Sequence, residues 1–162
     1  MGNVQLSDRK WKAFCLADLF ECEKGMYLPT SCISQGNIPF VPARVGNNGI
    51  NSFIGNCALF DGNKITVEKI KLSAYYQAIP FYCSHDVSVL ANAKLNKYNA
   101  LFVTTMIMRN GNKYSYGRQA QLNVVKREKI MLPVTDTGEP DYQFMEDYIK
   151  ELMLKKYFQY LI

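Results

Sequence analysis

The sequence predicts an α+β fold, with a single mixed α/β body over residues 1–135 and one C-terminal helix over 136–162. Three observations carry this. Most apolar runs of the body are short and are separated by Gly, Asn and Pro, the rhythm of short strands. One run, Tyr98–Arg109, is long enough to favour a helix over a strand. From Pro140 onward, apolar positions recur at i, i+3, i+4 and i+7, the period of one helix face.

In chain order, Trp11–Glu21 suits a strand that runs into one helical turn and stops before Gly25. Ile38–Val41, Cys57–Phe60, Lys64–Val67 and Val87–Leu90 read as strands, with Asp61-Gly62 as a tight turn between two of them. Tyr98–Arg109 reads as a buried helix. Lys113–Leu122 is aromatic, basic and rich in amides, and Lys129–Val134 closes the body as a last strand. The Gly- and Pro-containing stretch Asp136–Pro140 marks the boundary. Pro140 and Asp141 then supply the chemistry of a helix's first turn. The stripe Met145, Tyr148, Ile149 and Leu152 is continued by Leu154, Tyr157, Phe158 and Leu161, supported by the i, i+4 pairs Glu146–Lys150 and Glu151–Lys155. So broad an apolar face needs a partner. Met145, Tyr148, Ile149, Leu152, Tyr157 and Phe158 are therefore expected to form a partner interface, for dimerisation or for docking.

Composition fits one globular domain: 162 residues, 48% hydrophobic and 20% charged, which excludes a disordered chain, a collagen or a coiled-coil rod. No apolar run approaches the roughly 18 residues that cross a bilayer, and Met1–Gln5 lacks the plan of a signal peptide, so the cytoplasm is the expected address. Five cysteines without a CxxC pair read as reduced thiols. Charge is unevenly spread. Residues 1–135 hold 16 Lys and Arg against 8 Asp and Glu, whereas 136–162 hold 3 against 6. A basic body mixed with Tyr, Asn and Gln suits a polyanion, although surplus lysine for solubility produces the same balance.

Catalytic chemistry is hard to place on this chain. A triad would have to be built around the one histidine, His85, and Cys57, Cys83 and His85 match no zinc-site spacing. No GxGxxG or GxxxxGK[ST] loop occurs. Pro140-Asp141 opens like a nuclease carboxylate pattern, but no Glu-x-Lys or Asp-x-Lys follows it. Asn37-Ile38-Pro39-Phe40 has Ile38 where an amino-methyltransferase loop needs proline, and no glycine-rich cofactor loop precedes it. No catalytic residue, metal or cofactor is expected.

Several phrases taken in order resemble one family. They are Trp11-x-x-Phe14-x-Leu16-x-Asp18-Leu19-Phe20 with Gly25, Ile38-Pro39-Phe40-Val41, Asn47-Asn48-Gly49-Ile50 and Ile65-Thr66-Val67. Tyr75-Tyr76-Gln77-x-x-Pro80-Phe81, Asp86-Val87-x-Val89-Leu90, Tyr114-Ser115-Tyr116-Gly117-Arg118 and Ile130-x-Leu132-Pro133-Val134 complete the series. Residues 11–155 thereby resemble the target recognition domains of type I restriction-modification specificity subunits and the related domains of type IIB and IIG restriction–methylation enzymes. Two departures stand out. Glu68–Ser73 replaces a turn that carries glycine in many relatives, and the chain holds one recognition domain and one helix where full-length subunits carry two joined by long helices. The resemblance implies a non-catalytic module that reads a half-site on double-stranded DNA, with a methyltransferase subunit supplying the chemistry. It also implies a spacer helix that packs on a second recognition domain, a homodimer copy or that methyltransferase. The competing expectations are a small nuclease and a non-enzymatic interaction module or decoy that binds a methyltransferase subunit without touching DNA.

Base edges in the major groove favour Arg, Asn and Gln, while phosphates take Lys, Arg and Tyr. The base-reading candidates are Arg44, Asn47, Asn48, Gln77, Arg118, Gln119 and Gln121. The phosphate candidates are Lys24, Lys64, Lys69, Lys71, Arg109, Lys113 and Tyr116. Asn47-Asn48-Gly49 reads equally as a turn chosen for its tolerance of positive φ. Arg118 reads equally as a structural arginine pairing with a carbonyl or Asp86. Tyr75, Tyr76, Phe81 and Tyr82 suit stacking on opened bases or packing in the core.

Overall fold

The computed structural model describes residues 2–161. The elements run β1 (Lys10–Cys15), α1 (Leu16–Leu19), β2 (Glu21–Lys24), β3 (Gln35–Val41), β4 (Ser52–Ile54), β5 (Lys64–Glu68), β6 (Ala74–Gln77), β7 (Tyr82–Cys83) and β8 (Val87–Ala91). They continue with α2 (Asn99–Met108), α3 (Leu122–Arg127), β9 (Lys129–Val134) and α4 (Tyr142–Tyr160). Among the described residues they form three sheets. An antiparallel β1–β9 ribbon sets Lys10 opposite Val134, so the entrance and exit of the body lie side by side. The main sheet has the order β2-β8-β5-β6 with every neighbour antiparallel. A small sheet, β4-β3-β7, pairs β3 antiparallel with β4 and parallel with β7.

Strand β5 is central and covered on both faces, which is why it reads as the unbroken run Ile65-Thr66-Val67 rather than as an alternation. Around it lies the principal core of Leu16, Ile65, Val67, Leu72, Leu90, Val103, Ile107, Ile130, Leu132 and Met145. A second, smaller core joins the two sheets through Val41, Phe81, Cys83, Val87 and Val89. Helix α2 is buried along most of its length and packs on β6, β9 and α4. No helix among the described residues is long and apolar enough to cross a membrane.

Strands β1, β3, β5, β8 and β9, the turn at α1, and helices α2 and α4 fall where the sequence places them. Cys57–Phe60 does not form a strand; only Phe60 makes an isolated bridge, to Phe81, and Cys57 lies exposed. Asp61-Gly62 is consequently no hairpin turn, because β4 and β5 on either side of it belong to different sheets. Asp141 sits at the N-cap of α4 rather than inside its first turn. Its Oδ1 accepts from Phe144 N at 2.9 Å, and its Oδ2 meets Arg9 Nε at 2.9 Å. Both expected i, i+4 pairs on α4 form, Lys155 lying 2.8 Å from Glu151.

Candidate nucleic-acid interface

The main sheet has one end where β2 and β5 finish and β8 and β6 begin; three loops meet there, and a fourth runs from it along β6 to Gln77. The chain leaving β2 is fastened by Gly25 N donating to Val87 O and Met26 N to Cys83 O, both at 3.1 Å. Gly25 is required by this approach, since a Cβ would lie 2.1 Å from Cys83 O. Met26 and Tyr27 are held outward in solvent, with the Tyr27 ring edge-on to His85 at 5.6 Å. Lys69 reaches across to Asp86 at 2.8 Å.

The turn from β5 to β6 wraps around a buried carboxylate. Glu68 accepts from the backbone N–H groups of Ile70, Lys71 and Ser73 at 2.7, 2.7 and 2.9 Å. Leu72 adopts φ 54°, the left-handed conformation that glycine takes at little cost, while its side chain is fully buried. A hydrophobic anchor thus does the work of the glycine that the family resemblance leads one to expect.

The third loop, 111–121, is pinned at its base by a second buried carboxylate. Glu128 accepts from the Tyr114 hydroxyl and from Lys113 Nζ. Burial, followed by this hydrogen bond, pushes the Tyr114 hydroxyl up to about 12. Ser115 and Arg118 exchange backbone hydrogen bonds at 3.1 and 3.0 Å, which throws Tyr116 outward at the tip, where it is 80% exposed. The Arg118 guanidinium lies 5.8 Å over the Tyr114 ring. Gln119 donates to Tyr116 O and Gln121 to Gln119 Oε1, each at 3.3 Å.

The fourth loop leaves β3 beside the Ser84–Asp86 turn, with Ser84 N donating to Val41 O at 3.2 Å. Gly46 N donates to the Tyr75 hydroxyl at 2.6 Å, Asn47 and Asn48 take φ 49° and 53°, and Arg44 donates to Asn51 Oδ1 at 3.1 Å. Asn47 Nδ2 closes the turn onto Ile50 O.

Lys24, Lys69, Lys71, Lys113, Tyr116, Arg118, Gln119 and Gln121 therefore belong to one loop cluster, with Arg44, Asn47 and Asn48 on the adjoining loop. Lys64 does not join them, since it stands at the other end of β5, opposite Gln77. Arg109 lies at the end of α2 in a cleft with Trp11, Lys129 and Met131. Gln77 is buried, donating to Asn48 O and Thr66 Oγ1 at 2.9 and 3.1 Å, so it supports a turn instead of facing a base. Asn48 spends its amide on Tyr76 O and Gln77 Oε1. Lys69 and Lys113 already hold carboxylate partners, and Asp86 pairs with Lys69 rather than with Arg118. Phe81 and Tyr82 are core residues. Tyr75 and Tyr76 use their hydroxyls on Gly46 N and Asn63 Oδ1. Cys57, Cys83 and His85 do not converge as a metal site, and among the described residues no group of three His, Cys, Asp or Glu does.

On α4 the expected interface divides. Met145 is buried in the core, and Tyr148 and Ile149 pack against it, Tyr148 edge-on to Phe102 at 5.8 Å. Leu152, Tyr157 and Phe158 stand exposed, joined by Leu154 and Leu161. Sequence reasoning missed Met26 and Tyr27, which lie in a stretch with no periodicity. It also missed Glu68 and Glu128, whose burial nothing local announces.

Loops of cations, amides and exposed aromatics thus converge at one end of a packed α+β body. Residues 8–158 match the type I restriction modification DNA specificity domain, and the chain belongs to that family. It is similar to the specificity subunit S.BcgI of a type II restriction enzyme from Heyndrickxia coagulans, with 34% identity over 152 residues. The match covers 91% of this chain and 45% of that protein, so the chain spans under half the length of the curated relative. The fold is that of the S subunit of a type I restriction-modification system from M. genitalium, at TM-score 0.68 and 15% identity over 96% of this chain and 41% of that one. It is also that of the HsdS subunit from Thermoanaerobacter tengcongensis, at TM-score 0.63 and 13% identity over 90% of this chain and 38% of that one.

Proposed function

We propose that this chain reads a short half-site on double-stranded DNA and directs a partner methyltransferase or endonuclease of a restriction–modification assembly to it, performing no chemistry itself. The observation that carries the reading is the loop cluster, which gathers Lys24, Lys71 and Arg118, none in an ion pair among the described residues, with the exposed Tyr116 at one end of the sheet. Family membership supports it. Within the cluster, Arg118, Gln119 and Gln121, with Arg44 and Asn47 beside them, are the base readers, while Lys24, Lys71 and Tyr116 meet phosphates. The exposed half of α4 docks on a methyltransferase subunit, a second recognition domain or a second copy. The cytoplasm, where the chromosome lies, is the place for this work.

The test is sequencing of the bound fraction from a randomised duplex pool at near-physiological salt. An enriched half-site of a few base pairs is expected. Lys71→Ala should weaken binding to all duplexes alike and lower the salt slope by about one. Absence of any duplex binding, with partner capture that depends on α4, would favour the interaction module instead.

A further inference from the structure

The 69–72 turn and the 111–121 loop are not independent. Ala120 N donates to Lys69 O at 2.7 Å, and a Cβ on Gly111 would lie 2.3 Å from Lys71 O, so the two are locked face to face. Each is tied to the body by one buried carboxylate. Glu68 is 3% exposed and gathers three backbone N–H groups; Glu128 is 4% exposed and gathers the Tyr114 hydroxyl and Lys113 Nζ. Two buried negative charges weaken the anion attraction of this end, and buried charge is a poor source of stability compared with packed apolar side chains. Their gain is geometric, because donors from two separate loops are drawn onto two fixed points. An apolar residue at 68 would leave three backbone donors without their acceptor.

We propose, resting on the DNA-recognition reading above, that Glu68 and Glu128 are positioning residues for base readout: without touching DNA, they hold the two loops as one pre-organised reading unit. A side chain discriminates a base edge only when held to within about 0.5 Å. Phosphate contact asks only that charge be near. Loosening either anchor therefore lets Arg118, Gln119 and Gln121 lose register while Lys24 and Lys71 still find the backbone. The signature is loss of sequence preference without loss of duplex affinity.

Glu68→Gln and Glu128→Gln keep shape and remove charge, and Tyr114→Phe removes only the hydroxyl given to Glu128. The parent and the three variants, each first checked for cooperative thermal unfolding, are equilibrated with a randomised duplex pool, and the bound fractions are sequenced. Enrichment of the parent's half-site should fall about fivefold or more in each variant, the scale of one lost base contact. Total duplex bound and its salt dependence should stay at or above the parent's. Unchanged enrichment in folded variants overturns the proposal. So does a parallel loss of enriched and random duplex, which marks damage to charge or fold rather than to reading. If Glu128→Gln fails to fold, Tyr114→Phe decides for that anchor; if Glu68→Gln fails, Glu68→Asp, which keeps the charge and draws it back from the three N–H groups, decides for the other by the same loss of enrichment. A parent with no enriched site overturns DNA reading and this inference together, whereas an enriching parent with insensitive variants removes only the positioning roles.

Discussion

Leu72 shows how a single position balances two opposed terms. Its left-handed backbone costs about 1–2 kcal/mol for a residue with a Cβ, while burial of a leucine against the core is worth about 2–5 kcal/mol when truncated. Packing wins, so Leu72→Gly should lower stability by about 1–3 kcal/mol despite relieving the backbone. A denaturant midpoint at or above the parent's would refute that balance. The same site marks the limit of what single residues disclose in sequence. Asn47-Asn48-Gly49 announced its turn because asparagine is a known occupant of positive φ, and the structure finds it there. Leu72 announced nothing, since leucine in that conformation is explained only by a core the sequence does not display. Gln77 misled for a related reason: an amide's chemistry is legible, but whether it faces solvent or a neighbouring turn is set by β6 and the loop packed on it.

At the level of elements, periodicity located whatever is long or central. Strand β5 and helices α2 and α4 carry enough repeats to be read, whereas β2, β4, β6, β7 and α3 are too short to establish a period. The α4 stripe was legible as apolar, but its division between inside and outside was not, because that depends on where the body ends beneath it. Two substitutions separate the halves. Met145→Asp places a charge in the core and should abolish cooperative unfolding, while Phe158→Asp, on the exposed half, should leave the melting temperature within a few degrees of the parent's. Comparable losses from both would mean that the outer half is also needed for the fold. Ile149 is unsuitable as a pure interface probe, since it packs partly against the core.

Over the whole molecule, two buried groups and one half-buried group, Tyr142, govern behaviour in alkali. Burial pushes the Cys83 thiol from 9.0, and the Tyr114 and Tyr142 hydroxyls from 10.0, up to about 12. Each keeps its proton in the folded state at pH values where the unfolded chain has released it. Their contribution is therefore complete below about pH 9 and is lost as pH climbs toward 12. Thermal stability should fall steadily over that interval, and Tyr142→Phe should flatten the decline. A melting temperature constant from pH 8.5 to 11 would exclude this linkage. The β1–β9 ribbon has a different kind of consequence. Because Lys10 and Val134 face one another, the chain enters and leaves the β1–β9 ribbon at one place, and α4 continues from there to lay Phe144 and Met145 back into the core. A cut or a graft at this point therefore has to keep the first turns of α4 with the ribbon, whereas the hydrogen-bond ladder of the main sheet lies away from it.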